Sequence, residues 1–435
     1  MSKYKRYERY KDSGIEWIGE IPEHWGIIKL KFLSTIFKGK NPKELTDEWR
    51  EEILPYLSME YLRNSGDTLT LYAYPEKNLV TVNNGDILIL WDGSNAGEIL
   101  EGKNGILSST MAKIVPNNIV TRYLYWFLKG IEKFFKGNTV GMGIPHVNGE
   151  ILKNHLVLLP NLEEQNSIAN FLDQKTAEID SLIADKKKLI ELLQEKRQAI
   201  ITEAVTKGLN PNVKMKDSGI EWIGEIPAHW RLSKIKYESL INNKTLSEST
   251  DDDYEIDYID ISSVTSIGEI DGVQSLNFKD APSRARRILS KGDTIVSTVR
   301  TYLKAIAFIE NAQSNLICST GFAVLTPLSK VVPKYLFYLM RSEKYVNEIV
   351  RRSVGVSYPA VNASDIGALE CALPDRDEQM YIVEYLDNCT TQINQLVNDI
   401  QAQIQKLKEY RQSLISEIVT GKIDVREFAD KVEVI

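Results

Sequence analysis

Apolar residues along this chain follow two rhythms. From residue 163 to 206 there is no proline or glycine, and Leu, Ile, Glu, Lys and Ala dominate. That composition predicts one helix of about 44 residues, roughly 66 Å long at 1.5 Å per residue. Lys207-Gly208-Leu209-Asn210-Pro211 then supplies the stop, glycine followed by proline. A second such stretch runs from Asp377 to Thr420 and ends at Gly421. Its apolar positions alternate by three and four through Ile393, Val397, Ile400, Ile404, Leu407, Leu414 and Ile418. In the first stretch the seam is Ile179, Ile183, Ile190, Leu193 and Ile200; Lys186 interrupts it, and Arg197 and Arg411 occupy matching positions. A seam of this length predicts a coiled coil, and the two helices are expected to pair antiparallel with each other. Elsewhere, short β-branched runs are broken by Gly, Asn and Pro, with helical patches near 120–136 and 333–350. The expected class is α+β: two globular modules joined by two long antiparallel coiled-coil helices with approximate twofold symmetry.

The chain is also an internal repeat. Residues 11–31 and 216–236 are identical at 16 of 21 positions, sharing DSGIEWIGEIP and HW. Residues 170–206 and 384–420 match at 15 of 37. Between these blocks only anchors correspond: Tyr56 onward with Tyr258, Gly85-Asp-Ile with Gly292-Asp-Thr, and Tyr123-Leu-Tyr with Tyr335-Leu-Phe. The two copies keep a scaffold and differ in their surfaces.

Composition narrows the class. The 435 residues hold 60 acidic and 53 basic side chains, a net charge of −7, and 43% are hydrophobic. That is ample for buried cores and excludes a disordered tail or a coat protein that holds nucleic acid by bulk charge. Cys318, Cys371 and Cys389 show no metal spacing, which favours a reducing compartment. The N-terminus lacks an apolar leader core and no run of 18 apolar residues occurs, so a cytoplasmic protein without a membrane segment is expected.

The sequence lacks the common catalytic signatures. No Asn/Asp-Pro-Pro-aromatic turn is present, no glycine loop follows a strand and opens a helix, and no GxxxxGK[ST] occurs. His24 and His229 are repeat equivalents and read as hydrogen-bonding residues. Trp17, Trp25, Trp222 and Trp230 read as packing anchors. Asp375, Asp377 and Glu378 form the best nuclease-like carboxylate group, but no lysine stands at a suitable spacing. The chain is expected to be non-catalytic, with no metal and no cofactor of its own.

The blocks DSGIEWIGEIPxHW, LPxxxxEQxxI and the long helix with TAEID and EKRQAIITEAVTKG, duplicated in order, resemble specificity subunits of Type I restriction-modification systems. The resemblance spans essentially the whole chain. It implies target-recognition domains at 1–160 and 209–374, each carrying a repeat block, and conserved helices at 161–208 and 375–421, with a tail at 422–435. It further implies a bipartite, asymmetric double-stranded DNA target, one half read by each domain, with the coiled coil as the spacer. The implied partners are two methyltransferase subunits and two restriction-translocase subunits, with S-adenosylmethionine, ATP and Mg on those partners.

With that resemblance, local chemistry nominates contact residues. Between Ala281 and Lys304 lie six basic residues (Arg284, Arg286, Arg287, Lys291, Arg300 and Lys304) and one acid, Asp293. Arginine can grip guanine or phosphate. Arg300-Thr301-Tyr302 follows a predicted strand where the first module has Trp91-Asp92-Gly93-Ser94-Asn95. A second loop pair sets Gly141, Gly143, His146 and Asn148 against Gly355, Ser357, Tyr358 and Asn362; its glycines permit close approach to phosphate and its asparagines can read adenine. Residues 247–271 hold nine acids and no base, and are expected to face away from DNA or toward a protein partner. The alternative is a coiled-coil scaffold whose modules bind protein.

Overall fold

The structure is a computed structural model that describes residues 4–63, 70–356 and 358–429. The chain divides into two compact units, Met1–Lys186 with Ala402–Ile435, and Lys187–Gln401.

In the first unit eight short strands build two four-stranded sheets. They are β1 (Ser34–Lys38), β2 (Leu54–Leu57), β3 (Tyr72–Ala73), β4 (Thr81–Val82), β5 (Ile87–Leu90), β6 (Ile99–Glu101), β7 (Gly105–Leu107) and β8 (Met111–Pro116). The strand orders are β1-β8-β5-β6 and β3-β2-β7-β4. Strand β5 reads ILIL and is buried throughout, as a central strand covered on both faces must be. Eight strands recur in the second unit: β9 (Ser239–Ile241), β10 (Glu255–Ile259), β11 (Gln274–Asn277), β12 (Ala285–Ile288), β13 (Thr294–Ser297), β14 (Ile306–Phe308), β15 (Leu316–Ser319) and β16 (Phe322–Pro327). Their orders, β9-β16-β13-β14 and β11-β10-β15-β12, reproduce those of the first unit strand for strand. The parallel pair recurs as well, β2 with β7 and β10 with β15. The three anchor pairs therefore fall on equivalent elements.

Helix α1 (Thr121–Gly130) buries Tyr123 through Leu128, and its counterpart α3 (Pro333–Arg341) buries Tyr335 through Arg341. The long helices are α2 (Leu162–Lys207) and α5 (Arg376–Val419), with the shorter α4 (Glu343–Arg352) between them in sequence. Each long helix is shared between the units. In the first unit α2 and α5 run antiparallel: Arg411 donates to Asp180 (3.0 Å) and Lys186 to Gln403 (2.6 Å). The interruption at Lys186 is thus met by a polar partner on the facing helix. Along the predicted seam Ile179, Ile183, Ile400, Ile404, Leu414 and Ile418 are buried, while Ile190, Leu193, Arg197, Ile200, Ile393, Val397, Leu407 and Arg411 are half-buried.

The repeated motifs dock the helix starts. Glu164 receives Trp25 Nε1 (3.1 Å) and faces His24 Nε2 (2.8 Å); Glu378 receives Trp230 Nε1 (3.2 Å) and faces His229 Nε2 (2.7 Å). Gln165 and Gln379 accept from Val120 N and Val332 N, tying each long helix to the approach of α1 or α3. The tryptophans divide: Trp25 and Trp230 are buried, Trp222 packs edge-on against Tyr345 at 4.9 Å, and Trp17 is 48% exposed. Trp17 is thus a partial anchor only, lying 6.4 Å from the His155 ring.

Candidate nucleic-acid interface

The two nominated loops of the first unit meet. The loop leaving β5 joins the hairpin Thr139–Val140/His146–Val147 through Val147 N to Trp91 O (2.8 Å) and Gly93 N to Pro145 O (3.0 Å). On this frame Asp92 Oδ1 lies 2.7 Å from His146 Nδ1, and Asp92 Oδ2 pairs with Lys38 Nζ at 3.2 Å. Lys38 also stands 5.6 Å over the Trp91 ring. Ser94, Asn95, Gly141, Gly143 and His146 are exposed. Asn148 caps the short helix Gly149–Asn154, its Oδ1 accepting from Glu150 N and Ile151 N. Its acceptor is therefore engaged in the fold.

The second unit repeats the joint with other side chains. Val361 N donates to Thr298 O (2.9 Å) and Arg300 N to Pro359 O (2.8 Å). The Arg300 guanidinium lies 4.8 Å over the Tyr358 ring, and Thr301 Oγ1 is 2.7 Å from Ser353 Oγ. Arg300, Tyr302, Lys304, Gly355, Tyr358 and Asn362 are exposed, Thr301 is buried, and Ser357 lies outside the described residues. Asn362 Nδ2 donates to Asp365 Oδ2 (3.2 Å).

Backbone conformation separates the copies. Arg300 and Lys304 are left-handed, with φ of 52° and 56°. The first unit has Gly93 and Gly97 at the corresponding places, with φ of 118° and 94°. Left-handed backbone costs a side-chain-bearing residue about 1–2 kcal/mol. The second copy thus holds two cations where glycine would be unstrained, a pattern associated with functional sites.

Three further nominated residues belong to the other sheet of the second unit. Arg284, Arg286 and Arg287 are on or beside β12, in the other sheet from β13. Arg284 donates to Asp260 (2.7 Å) and the Tyr258 hydroxyl (3.2 Å), Arg286 lies 4.5 Å over Phe278, and Arg287 donates to Thr245 (2.9 Å). The basic run thus spans two sheets, the chain passing from one to the other between Ile288 and Thr294. Asp260, an acid of the 247–271 segment, thus pairs directly with Arg284. Lys38 was not singled out from the sequence; it enters the site from β1, more than fifty residues before the loop it contacts.

Among the described residues no group of three or more His, Cys, Asp or Glu could hold a metal ion, and no helix is long and apolar enough to cross a membrane.

Comparison with known proteins agrees along nearly the whole chain. The family model for the Type I restriction modification DNA specificity domain matches residues 22–192 and again 234–406. The specificity subunit of the Type I restriction enzyme MjaVIII from Methanocaldococcus jannaschii is 31% identical over 415 residues, covering 93% of this chain and 94% of its own. That of EcoDI from Escherichia coli is 21% identical, covering 96% and 93%. A chain solved in work on complex assembly and conformational transition of the type I R-M system shares the fold with a TM-score of 0.68 at 16% identity, covering 93% of this chain and 99% of that one. The HsdS subunit from Thermoanaerobacter tengcongensis aligns with a TM-score of 0.50 at 17% identity, over 93% and 98%. A twice-matched family model and a relative above 30% identity lead to one conclusion: this chain belongs to the Type I restriction-modification DNA specificity family.

Proposed function

We propose that this chain is the DNA-addressing, non-catalytic subunit of a Type I restriction-modification complex. Each module reads one half of an asymmetric, bipartite duplex site, and the paired helices set the spacing between the halves. Methyltransferase subunits, two per chain, methylate adenine with S-adenosylmethionine. Two restriction-translocase subunits use ATP and Mg. The reading rests on one observation: the same two-loop joint recurs in both units with identical backbone connections but different side chains. Trp91, Asp92, Ser94, Asn95 and His146 stand in one, and Arg300, Tyr302, Lys304 and Tyr358 in the other. A scaffold retained under selection to present two different half-site readers accounts for that pattern.

Mapping methylated adenines in host DNA with and without this chain tests the reading. A single bipartite motif should lose methylation when the chain is absent; an unchanged methylation map would overturn it. A coiled-coil scaffold that binds only protein predicts that charge reversal of Arg284, Arg286 and Arg287 leaves duplex binding untouched. DNA recognition predicts weaker binding with a shallower salt dependence.

A further inference from the structure

Comparing the two copies exposes a charge imbalance at one place. In the first unit Lys129, at the end of α1, donates to Ile99 O (2.8 Å) and pairs with Glu132 at 2.5 Å. Arg411 on α5 pairs with Asp180 at 3.0 Å. Each cation has its own carboxylate. In the second unit the repeat places Arg341 where Lys129 stands and Arg197 where Arg411 stands. Lys344 replaces Glu132, and Asn394 replaces Asp180. Both carboxylates are gone, while both cations remain.

The two arginines are held in an enclosed setting. Arg341 is 6% exposed and donates to Ser266 O (3.0 Å) and Ile306 O (3.4 Å); Arg197 donates to Ile267 O (3.1 Å). The turn they brace requires Gly268, whose φ is 86° and where a Cβ would lie 2.7 Å from Ile306 O. The Nε of each arginine is buried without a hydrogen-bond partner among the described residues. Neither makes an ion pair there. Burial, and then the neighbouring Arg197, lower the Arg341 pKa to about 9, so it stays charged at neutral pH. Both side chains line a cleft of about 550 Å³ shared with Gln198 and Lys304, whose exposed walls include Glu195 and Glu343. The Glu269 carboxylate attracts both guanidinium groups but forms an ion pair with neither; a buried cation without an ion-pair partner is costly, and a tetrahedral oxyanion offers the several acceptors that two guanidinium groups need.

We infer that the cleft around Arg197 and Arg341 in the second unit is a phosphate-binding site, absent from the first unit because Glu132 and Asp180 neutralise its counterpart. The phosphate is either free, as inorganic phosphate or a nucleotide, or a backbone phosphate of a bound duplex. This inference does not depend on the DNA-reading role, because its primary test contains no DNA.

The decisive variant is Asn394→Asp, which returns a carboxylate to the register that Asp180 holds opposite Arg411. Thermal unfolding of the full chain would be followed in inorganic phosphate and in chloride of equal ionic strength. Phosphate stabilises proteins generally by surface exclusion, so the readout is the difference between wild type and variant. Wild-type Tm should rise in phosphate by at least about 2 °C more than that of Asn394→Asp, whose Tm in chloride is already higher. Arg197→Met should lose the same phosphate-specific increment, which guards against a folding defect in one variant. Equal phosphate responses in wild type and both variants would overturn the site. A duplex titration then assigns the source. If the occupant is a backbone phosphate, Asn394→Asp weakens duplex binding about tenfold and flattens the log K versus log salt slope by about one. If it is free phosphate, duplex binding is unchanged and the thermal increment persists.

Discussion

Arg300 and Lys304 carry the sharpest residue-level consequence, because their left-handed backbone opposes stability to function. Changing both to glycine should leave the fold as stable or more so, by up to about 1 kcal/mol per site, since glycine relieves the strain but loses more entropy on folding. The same double variant should bind duplex DNA at least about tenfold more weakly, each lost arginine contact to a base being worth 1–3 kcal/mol. Urea unfolding and a duplex titration measure the two effects; a parallel loss of stability and binding would contradict it. A second residue sets a pH response. Burial lowers the His155 imidazole from 6.5 to about 4. Phe127, Phe134 and Phe135 lie within 6.3 Å of its ring, and its Nε2 has no partner among the described residues. The unfolded chain therefore takes up a proton that the folded chain refuses. Stability from this residue is complete above pH 6.5 and falls as pH drops toward 4, by about 3 kcal/mol at most. His155→Phe should flatten the stability-versus-pH curve across that window.

At the scale of elements, burial predicts which helix positions matter. Ile418 is fully buried, and Ile418→Ala should cost about 2–4 kcal/mol in urea unfolding. Asp180→Asn should cost under about 1 kcal/mol, because the Asp180 side chain is 54% exposed to water and salt. These helices were legible in the sequence because helical periodicity is local and a 44-residue run without proline or glycine leaves few alternatives. The sheets were not. Strands of two to six residues carry little periodicity, and the parallel pairing of Ile106 with Tyr56 joins segments about fifty residues apart. Each candidate loop was singled out alone, by its glycines and by its divergence between copies. Their junction was not, since the bonds between Arg300 and Pro359 or Gly93 and Pro145 leave no local trace. That Arg284, Arg286 and Arg287 stand on or beside a strand of a different sheet from the one leading to Arg300 was likewise not legible, because the chain changes sheets between Ile288 and Thr294.

For the whole molecule, the repeat is permuted. The end of α2 closes on the second unit, with Gly208 beside Trp230 and Glu378, whereas Gly421, just past the end of α5, closes on the first, beside Pro22 and Trp25. Lys5 also bridges Asp424, and Tyr10 donates to Gly421 O. The second unit is therefore continuous in sequence and the first is not. A chain ending at Gln401 should keep amide protection in the second unit and lose it in the first, where Ile415, Ile418 and Val419 complete the packing. Hydrogen exchange read by mass spectrometry distinguishes this from uniform loss across both units.

That discontinuity gives synthesis on the ribosome a definite order. The leading 186 residues emerge first but lack the segment that closes them until the 215 residues from Lys187 to Gln401 have been made. At about 5–20 residues per second the wait is roughly 10–40 s. Throughout it Trp25 is without Gly421 and Phe171 without Phe428, which pack against them in the finished fold. The half made second is the half that can finish first, and the nascent first half is the stretch most in need of a chaperone.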